Sequence, residues 1–181
     1  FRVGGLFDEA RYRVGVMARV LDDGPAARFR SRLIDGQGLA YSLWCDVDLY
    51  VEGGGVEIGA QVSHERVADV VEAICRELAS LGRRPPRVEE VARVRARLAR
   101  DLDDMRDNPA HVAESAARGA LVGLPLRPQD TLAQVSAIEP AAVSATARDV
   151  FRQDRAVLVL VGKPRRADVK RAEAALASFL R

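Results

Sequence analysis

The stretch Gly38-Leu39-Ala40-Tyr41-Ser42 joins a basic segment, residues 28–35, to a long β-rich segment, residues 43–62. In the basic segment, Phe29 and Leu33 recur at helical spacing among arginines, which is typical of a short amphipathic helix. After the junction, apolar and polar residues alternate with the period of two that half-buried strands show. The stretch therefore predicts a short helix that is followed directly by a long strand.

The residues on either side of this junction extend the same interpretation. Pro25 follows Asp23-Gly24 and suits the first turn of a helix, so we expect the basic helix to begin there. On the other side, Gly53-Gly54-Gly55 divides the β-rich segment into two alternating runs. This pattern predicts a hairpin of two long strands.

The rest of the chain indicates an α+β fold with a mixed, largely antiparallel sheet that is covered by helices. An opening apolar run, residues 1–7, is interpreted as a strand, and Ala156–Val161 as a fully buried strand. A loop is expected at residues 125–128. Helices are expected near residues 12–21, 63–81, 88–105, 111–122, 131–138, 140–152 and 167–180. Residues 1–181 are predicted to form a single domain.

Composition narrows the classes of function. The chain has 181 residues, of which 48% are hydrophobic and 30% charged, and its formal net charge is only +2. This small excess does not favour nucleic acid as a partner. No apolar run approaches the roughly 20 residues that span a bilayer, and no signal-peptide pattern is present, so we expect a soluble chain. Because Phe1 opens directly in a strand-like run, we interpret the chain as a fragment of a longer protein.

The metal-ligating residue types are few and scattered. Cys45 and Cys75 lack CxxC spacing and are interpreted as small buried hydrophobic residues rather than redox or metal groups. His64 and His111 lie in different predicted helices, and we expect both on the surface. The sequence thus predicts no metal site and no catalytic residue within this chain.

The segments around the junction resemble the pitrilysin/insulinase-type zinc metallopeptidases. Residues 21–42 are similar to the family stretch LGxGxSSRL … LREExGLAYSV, with Gly38-Leu39-Ala40-Tyr41-Ser42 at its end. Residues 86–91 stand in the place of the family's TxEEL, residues 138–143 in the place of IxxVTxxDV, and residues 157–162 in that of its last strand. In order and spacing these pieces most resemble the C-terminal, non-catalytic domain of bacterial members that are similar to mitochondrial processing peptidase.

The resemblance implies a processing-peptidase-like (LuxS-like) fold and a role beside a catalytic domain. In the family, zinc is bound by an inverted His-x-x-Glu-His helix and a distal Glu of the other domain, where a further Glu serves as general base. Zinc would therefore belong to a missing N-terminal domain. That domain and an unfolded peptide substrate are the implied partners, with homo- or heterodimers among the implied assemblies.

One residue of this chain matches a family site residue. The family's second domain often carries an Arg, followed seven positions later by a Tyr, which bind the substrate backbone and polarise the scissile carbonyl. Tyr41 matches the Tyr and is the predicted substrate-binding residue, whereas Ile34 occupies the Arg position and offers no hydrogen-bond donor. Arg30 or Arg32 could compensate from neighbouring faces of the helix. Alternatively, the Tyr41 ring packs at the start of the strand, with its hydroxyl bonded to the backbone.

Three classes of function follow. The first is a substrate-chamber domain of a zinc-dependent metalloendopeptidase, which would offer a sheet edge to extended peptide. The second is an inactive pseudo-peptidase subunit or scaffold that pairs with an active partner, which Ile34 favours. The third, nucleic-acid binding, depends on the four arginines at 93, 95, 97 and 100 and is disfavoured by the acidic residues around them. The Arg- and Ala-rich composition suggests a bacterial source and leaves cytoplasm and periplasm both open.

Overall fold

The computed structural model describes residues 1–124 and 127–180 as an α+β fold, as predicted. The strands are β1 (Arg2–Val3), β2 (Ser42–Leu49) and β3 (Gly54–Gln61). The α-helices are α1 (Arg11–Leu21), α2 (Val67–Arg83), α3 (Val88–Arg106), α4 (Pro109–Val122), α5 (Pro128–Ser136), α6 (Pro140–Val150) and α7 (Arg166–Phe179). A π-helical segment, Phe29–Ile34, precedes β2, and a 3₁₀ turn, Gln153–Arg155, follows α6.

The predicted hairpin supplies two of the three strands of the described sheet. The strand order among the described residues is β1-β3-β2, and both pairs are antiparallel. Trp44 lies opposite Gly59 and Val47 opposite Val56. Gly54 belongs to β3 rather than to the turn, since it pairs with Leu49, and an added Cβ there would lie 2.6 Å from the carbonyl oxygen of Asp48. The absence of a side chain is therefore what lets the strands approach closely at this end of the hairpin.

The core is formed by the sheet and by the apolar faces of α1, α2 and α6. Met17 and Leu21 of α1 are fully buried, as are Leu81 of α2 and Val143 of α6. Helix α1 packs against α6 and β2, while α2 packs against α7, α6 and the π-helical segment. Because α2 is apolar on one broad stripe and contacts three elements, it fixes the position of the π-helical segment relative to the rest of the molecule.

The helix expected to begin at Pro25 begins later and has a different geometry. The Ala27 N–H donates to the Gly24 carbonyl at 3.0 Å, so residues 24–27 form a turn, and the helical segment starts at Phe29. The Asp35 N–H donates to the Arg30 carbonyl, five residues back, as in a π-helix. The prediction that Phe29 and Leu33 face the core is confirmed, since both are buried.

The prediction of a buried strand at Ala156–Val161 is wrong. Val157, Val159 and Val161 are 84%, 74% and 95% exposed, and residues 157–161 form no strand. A run of apolar residues indicates burial only where another element covers it, and no strand of the described chain pairs with this one. The exposed fraction still alternates along the segment, because the intervening Leu158 and Leu160 are less exposed than the valines.

One remaining expectation concerns a loop in the C-terminal half. The loop predicted at residues 125–128 lies partly outside the described residues, which resume at Arg127 before α5, and residue 181 also lies outside them.

None of the helices within residues 1–124 and 127–180 combines the length and apolar character that crossing a membrane requires.

Candidate functional site

Tyr41 lies just before β2 and points into solvent. Its ring is 78% exposed, so it is not packed at the start of the strand. Its backbone N–H donates to the Gln61 carbonyl at 2.8 Å, which fixes the main chain at the mouth of the hairpin. The backbone of Tyr41 is therefore held in place, while its phenol side chain is exposed and free to contact a ligand.

The position seven residues earlier offers Tyr41 no cationic companion. Ile34 is half-buried and packs against the core. Arg30 is held by Asp35, with its Nε 3.1 Å from Oδ1, and Arg32 is held by Glu77 at 2.8 Å. Both arginines that could have replaced the family Arg are thus engaged by other carboxylates.

A buried ionic cluster joins the π-helical segment to two helices. Arg28, which is 5% exposed, donates from Nε and Nη2 to the two carboxylate oxygens of Glu90 at 2.7 and 3.2 Å. Its Nη1 donates to Glu77 at 3.1 Å, and Arg32 Nη1 donates to both oxygens of Glu77. The fork-to-fork contact of Arg28 with Glu90 is the strong, directional form of ion pair. The cluster therefore locks residues 28–32 to α2 and α3.

The same contacts set the ionisation of Glu90. Burial alone would raise the pKa of this carboxyl, but hydrogen bonds from Arg28 and from the Arg87 N–H, together with the charge of Arg28, outweigh it and lower the pKa. The Arg87 N–H lies 2.7 Å from Glu90 Oε2. Glu90 thus also satisfies a free backbone donor at the start of α3.

The free edge of β2 is partly closed. The hydrogen bond from the Tyr50 N–H to the Gly53 carbonyl sets the ladder, so Leu43, Cys45, Val47 and Leu49 direct their N–H groups away from β3. The Cys45 N–H donates to the Asp22 carboxylate at 3.1 Å. Burial raises the pKa of Asp22, an effect that this hydrogen bond opposes. Beyond Cys45, the N–H groups of Val47 and Leu49 make no hydrogen bond with the described residues, so this part of the edge can accept an added strand.

The histidines and cysteines do not converge. His64 and His111 are exposed, and the nearest acidic group to His64 is Glu65 at 3.9 Å. Both cysteines are buried, and burial raises the pKa of Cys45 to about 12 and that of Cys75 to about 11, so both thiols stay protonated. Across residues 1–124 and 127–180, no three His, Cys, Asp or Glu side chains lie close enough to bind one metal ion. These residues do not fit a zinc site.

The arginines of α3 do not form a continuous basic stripe. Arg97 Nε is 2.8 Å from Asp23, and Arg95 donates to the Ile138 carbonyl across the helix interface. Arg19 joins the same region by contacting both Asp23 and Asp101. Arg93 and Arg100 are exposed, but the arginines between them are paired or turned inward, so the helix lacks a continuous row of free cations that tracks a phosphate backbone.

A concave region lies at the C-terminal end of α3, beside α4. An apolar cavity of about 500 Å³ is lined by Met105, Val112, Ala116 and Ala120, with Arg106 at its margin. It is lined by residues of both α3 and α4. Gly119, which also lines this cavity, is the one residue of α4 that is buried within the described chain.

Fold and site together define a class: an α+β domain with an exposed tyrosine at the mouth of its hairpin and without a set of metal ligands. The family model described as the peptidase M16 inactive domain matches residues 1–98. The chain therefore belongs to the peptidase M16 family, through its inactive domain, and this confirms the resemblance to the zinc metallopeptidases. A comparison with curated protein sequences finds no significant match.

Several solved structures share the fold of this chain. A protease from Helicobacter pylori matches with a TM-score of 0.69 and 14% identity over 82% of this chain and 36% of the other. A chain of Complex III2 from Candida albicans with Inz-5 bound matches with a TM-score of 0.70 and 18% identity over 82% of this chain and 38% of the other. The inactive peptidase domain of a candidate zinc protease from Bordetella parapertussis matches with a TM-score of 0.65 and 18% identity, over 81% of this chain and 79% of that one. The chain thus spans little more than a third of the first two relatives.

Proposed function

We propose that this chain is the non-catalytic domain of a longer zinc-dependent metalloendopeptidase and forms one wall of its peptide-binding chamber. The observation that carries the proposal is the match of residues 1–98 to the inactive domain of the peptidase M16 family. Because the described residues offer no zinc ligands, the metal would be bound by a companion domain, where it would supply an activated water. This chain would contribute surface and orientation, not a reacting group.

Two features of this surface support peptide binding. Tyr41 is exposed on an anchored backbone, so its hydroxyl can donate to a peptide carbonyl without prior rearrangement. The outer edge of β2 near Val47 and Leu49 presents backbone groups to which an extended peptide can add as a further strand. Both lie on the hairpin, at opposite ends of β2, so a bound peptide would run along that strand.

A second function is favoured by two observations. Ile34 leaves the Tyr41 position without a neighbouring cation, and a chain of Complex III2 has the same fold. In this alternative, the chain belongs to an inactive subunit or scaffold that pairs with an active partner. The peptide-binding face would then serve as a contact surface.

Zinc content and peptide cleavage of the full-length protein distinguish the two functions. For the enzyme, we expect one zinc per chain and cleavage of an unfolded peptide that a chelator abolishes, with the 181-residue chain inactive alone. A full-length protein without zinc or cleavage would overturn the enzymatic proposal and favour the scaffold.

Tyr41 is tested in the same full-length protein. If its hydroxyl polarises the scissile carbonyl, Tyr41→Phe should lower kcat/KM by about tenfold to a hundredfold, mostly through kcat. Tyr12→Phe is the matched control, because Tyr12 lies in α1, outside the hairpin, and its hydroxyl accepts a hydrogen bond from Arg11. Equal activity of the two variants would show that the Tyr41 hydroxyl takes no part in the reaction.

A further inference from the structure

A polar cleft of about 470 Å³ lies between the π-helical segment and the start of α3. Its volume is within the range of pockets that hold small ligands or a few side chains, and it is too small for a folded partner. Six charged residues line it: Arg28, Arg32, Arg87, Glu89, Glu90 and Arg93.

The floor of this cleft is rigid. Arg28 and Glu90 are paired through two hydrogen bonds, and Arg28 also contacts Glu77 behind it. Neither group can swing out without leaving a buried charge unpaired, which is costly. The cleft therefore exists before any ligand arrives.

The rim of the cleft carries N–H donors that no acceptor of the described chain binds. Arg87 and Arg93 form no side-chain ion pair within residues 1–124 and 127–180, and both are exposed. Arg32 uses only Nη1 to contact Glu77, so its Nε and Nη2 make no hydrogen bond with described residues. Three guanidiniums thus offer free N–H groups around one opening.

The balance of charge at the rim is positive. Glu90 is committed to Arg28, and Glu77 is shared by Arg28 and Arg32. Glu89 is the one lining carboxylate without such a partner among the described residues, against the two unpaired cations Arg87 and Arg93. A compact anion of one or two charges matches this imbalance.

Guanidinium geometry favours a carboxylate. Arginine presents parallel N–H groups that match the two oxygens of a carboxylate, and each such contact is charge-assisted. A nucleic acid would bring repeated phosphates past Glu89 and the acidic residues further along α3, and the chain's net charge of only +2 offers little to hold it. An Asp or Glu side chain on an extended peptide fits both the size and the charge of the cleft.

We propose that this cleft binds acidic side chains of the peptide substrate, so that the chain selects peptides carrying Asp or Glu. The proposal rests on the proposed function only in that the ligand is a peptide. It requires neither zinc nor cleavage.

Fluorescence anisotropy on the 181-residue chain tests the cleft directly. The probe is a short labelled peptide with two adjacent glutamates, compared with the same peptide carrying glutamines. We expect the glutamate peptide to bind more tightly, and binding to weaken as salt is raised to about 0.15 M and beyond. Arg87→Glu combined with Arg93→Glu should weaken binding about tenfold or more.

The matched control is Arg13→Glu combined with Arg166→Glu. These arginines are exposed, lie outside the cleft and change the net charge equally. The milder Arg87→Gln and Arg93→Gln pair repeats the test, with the thermal unfolding midpoint measured for every variant. Equal binding of the two peptides, or equal loss in the control, would overturn the proposal, as would stronger competition by a single-stranded oligonucleotide than by the acidic peptide. Failure of the full-length protein to cleave peptides, with this binding intact, would overturn the enzymatic function alone.

Discussion

Glu90 is the residue through which three parts of the molecule are connected. It receives two hydrogen bonds from Arg28 in the segment before β2 and one from the backbone at the start of α3. Arg28 in turn contacts Glu77 on α2. Removing one member of such a cluster leaves the others buried and incompletely paired, so its cost exceeds that of an exposed ion pair.

Glu90→Gln should therefore lower the free energy of unfolding at pH 7 by about 2–4 kcal/mol. The pKa of Glu90 is lowered in the folded state, so its stabilisation is complete above the ordinary Glu value of about 4.3 and is lost as pH falls through the lowered value. Denaturant unfolding of both proteins from pH 7 downward measures the difference, which should shrink in acid.

Glu89→Gln is the control for this prediction. Glu89 is exposed, neighbours Glu90 on α3, and has no ion pair among the described residues, so the change should cost less than about 1 kcal/mol. Equal destabilisation by the two variants, or a difference that does not change with pH, would mean that the Arg28 contact contributes little.

Among the elements, residues 157–161 differ most from expectation. Three valines of this segment are exposed on one side, and the first charged residue after it is Lys163. Within residues 1–124 and 127–180, no backbone hydrogen bond involves positions 157–161. An unpaired, apolar, uncharged segment of this kind is a template for strand pairing between molecules.

Val159→Lys should reduce concentration-dependent self-association of the 181-residue chain while changing its unfolding free energy by no more than about 0.5 kcal/mol. Light scattering or sedimentation at several concentrations measures the effect. Val88→Lys is the control, because Val88 is 69% exposed but lies in α3, where its backbone belongs to a helix. Should both lysines reduce association equally, added charge would be the cause rather than a blocked strand edge.

On the scale of the whole molecule, burial is distributed unevenly. Helix α2 contributes buried residues along its length and contacts α6, α7 and the π-helical segment. Helix α4 buries only Gly119 among its described residues and borders the apolar cavity beside α3. Local opening costs little where few apolar contacts must be broken.

Native-state hydrogen exchange should therefore show the slowest amides in α2 and amides in α4 that exchange at least about 100-fold faster. Mass spectrometry of peptides from the two helices measures both in one experiment. Helix α6, which also packs on α1 and α2, should follow α2. Protection of α4 equal to that of α2 would show that α4 is covered in solution.

The sequence by itself determined the local elements and the family. Alternation over residues 43–62 predicted the hairpin, helical spacing predicted the buried faces of Phe29 and Leu33, and Gly38-Leu39-Ala40-Tyr41-Ser42 indicated the M16 relationship. Each of these signals is carried by residues that are close together in the chain, where the period of the pattern directly reflects backbone geometry.

The tertiary structure alone decided which groups meet. Arg28 and Glu90 are 62 positions apart, and nothing in their spacing predicted a buried pair or the cleft above it. Likewise, the apolar run at residues 156–161 indicated burial, but the fold places no partner strand beside it in the described chain. Burial and ion pairing depend on which distant elements approach one another, and periodicity carries no information about that approach.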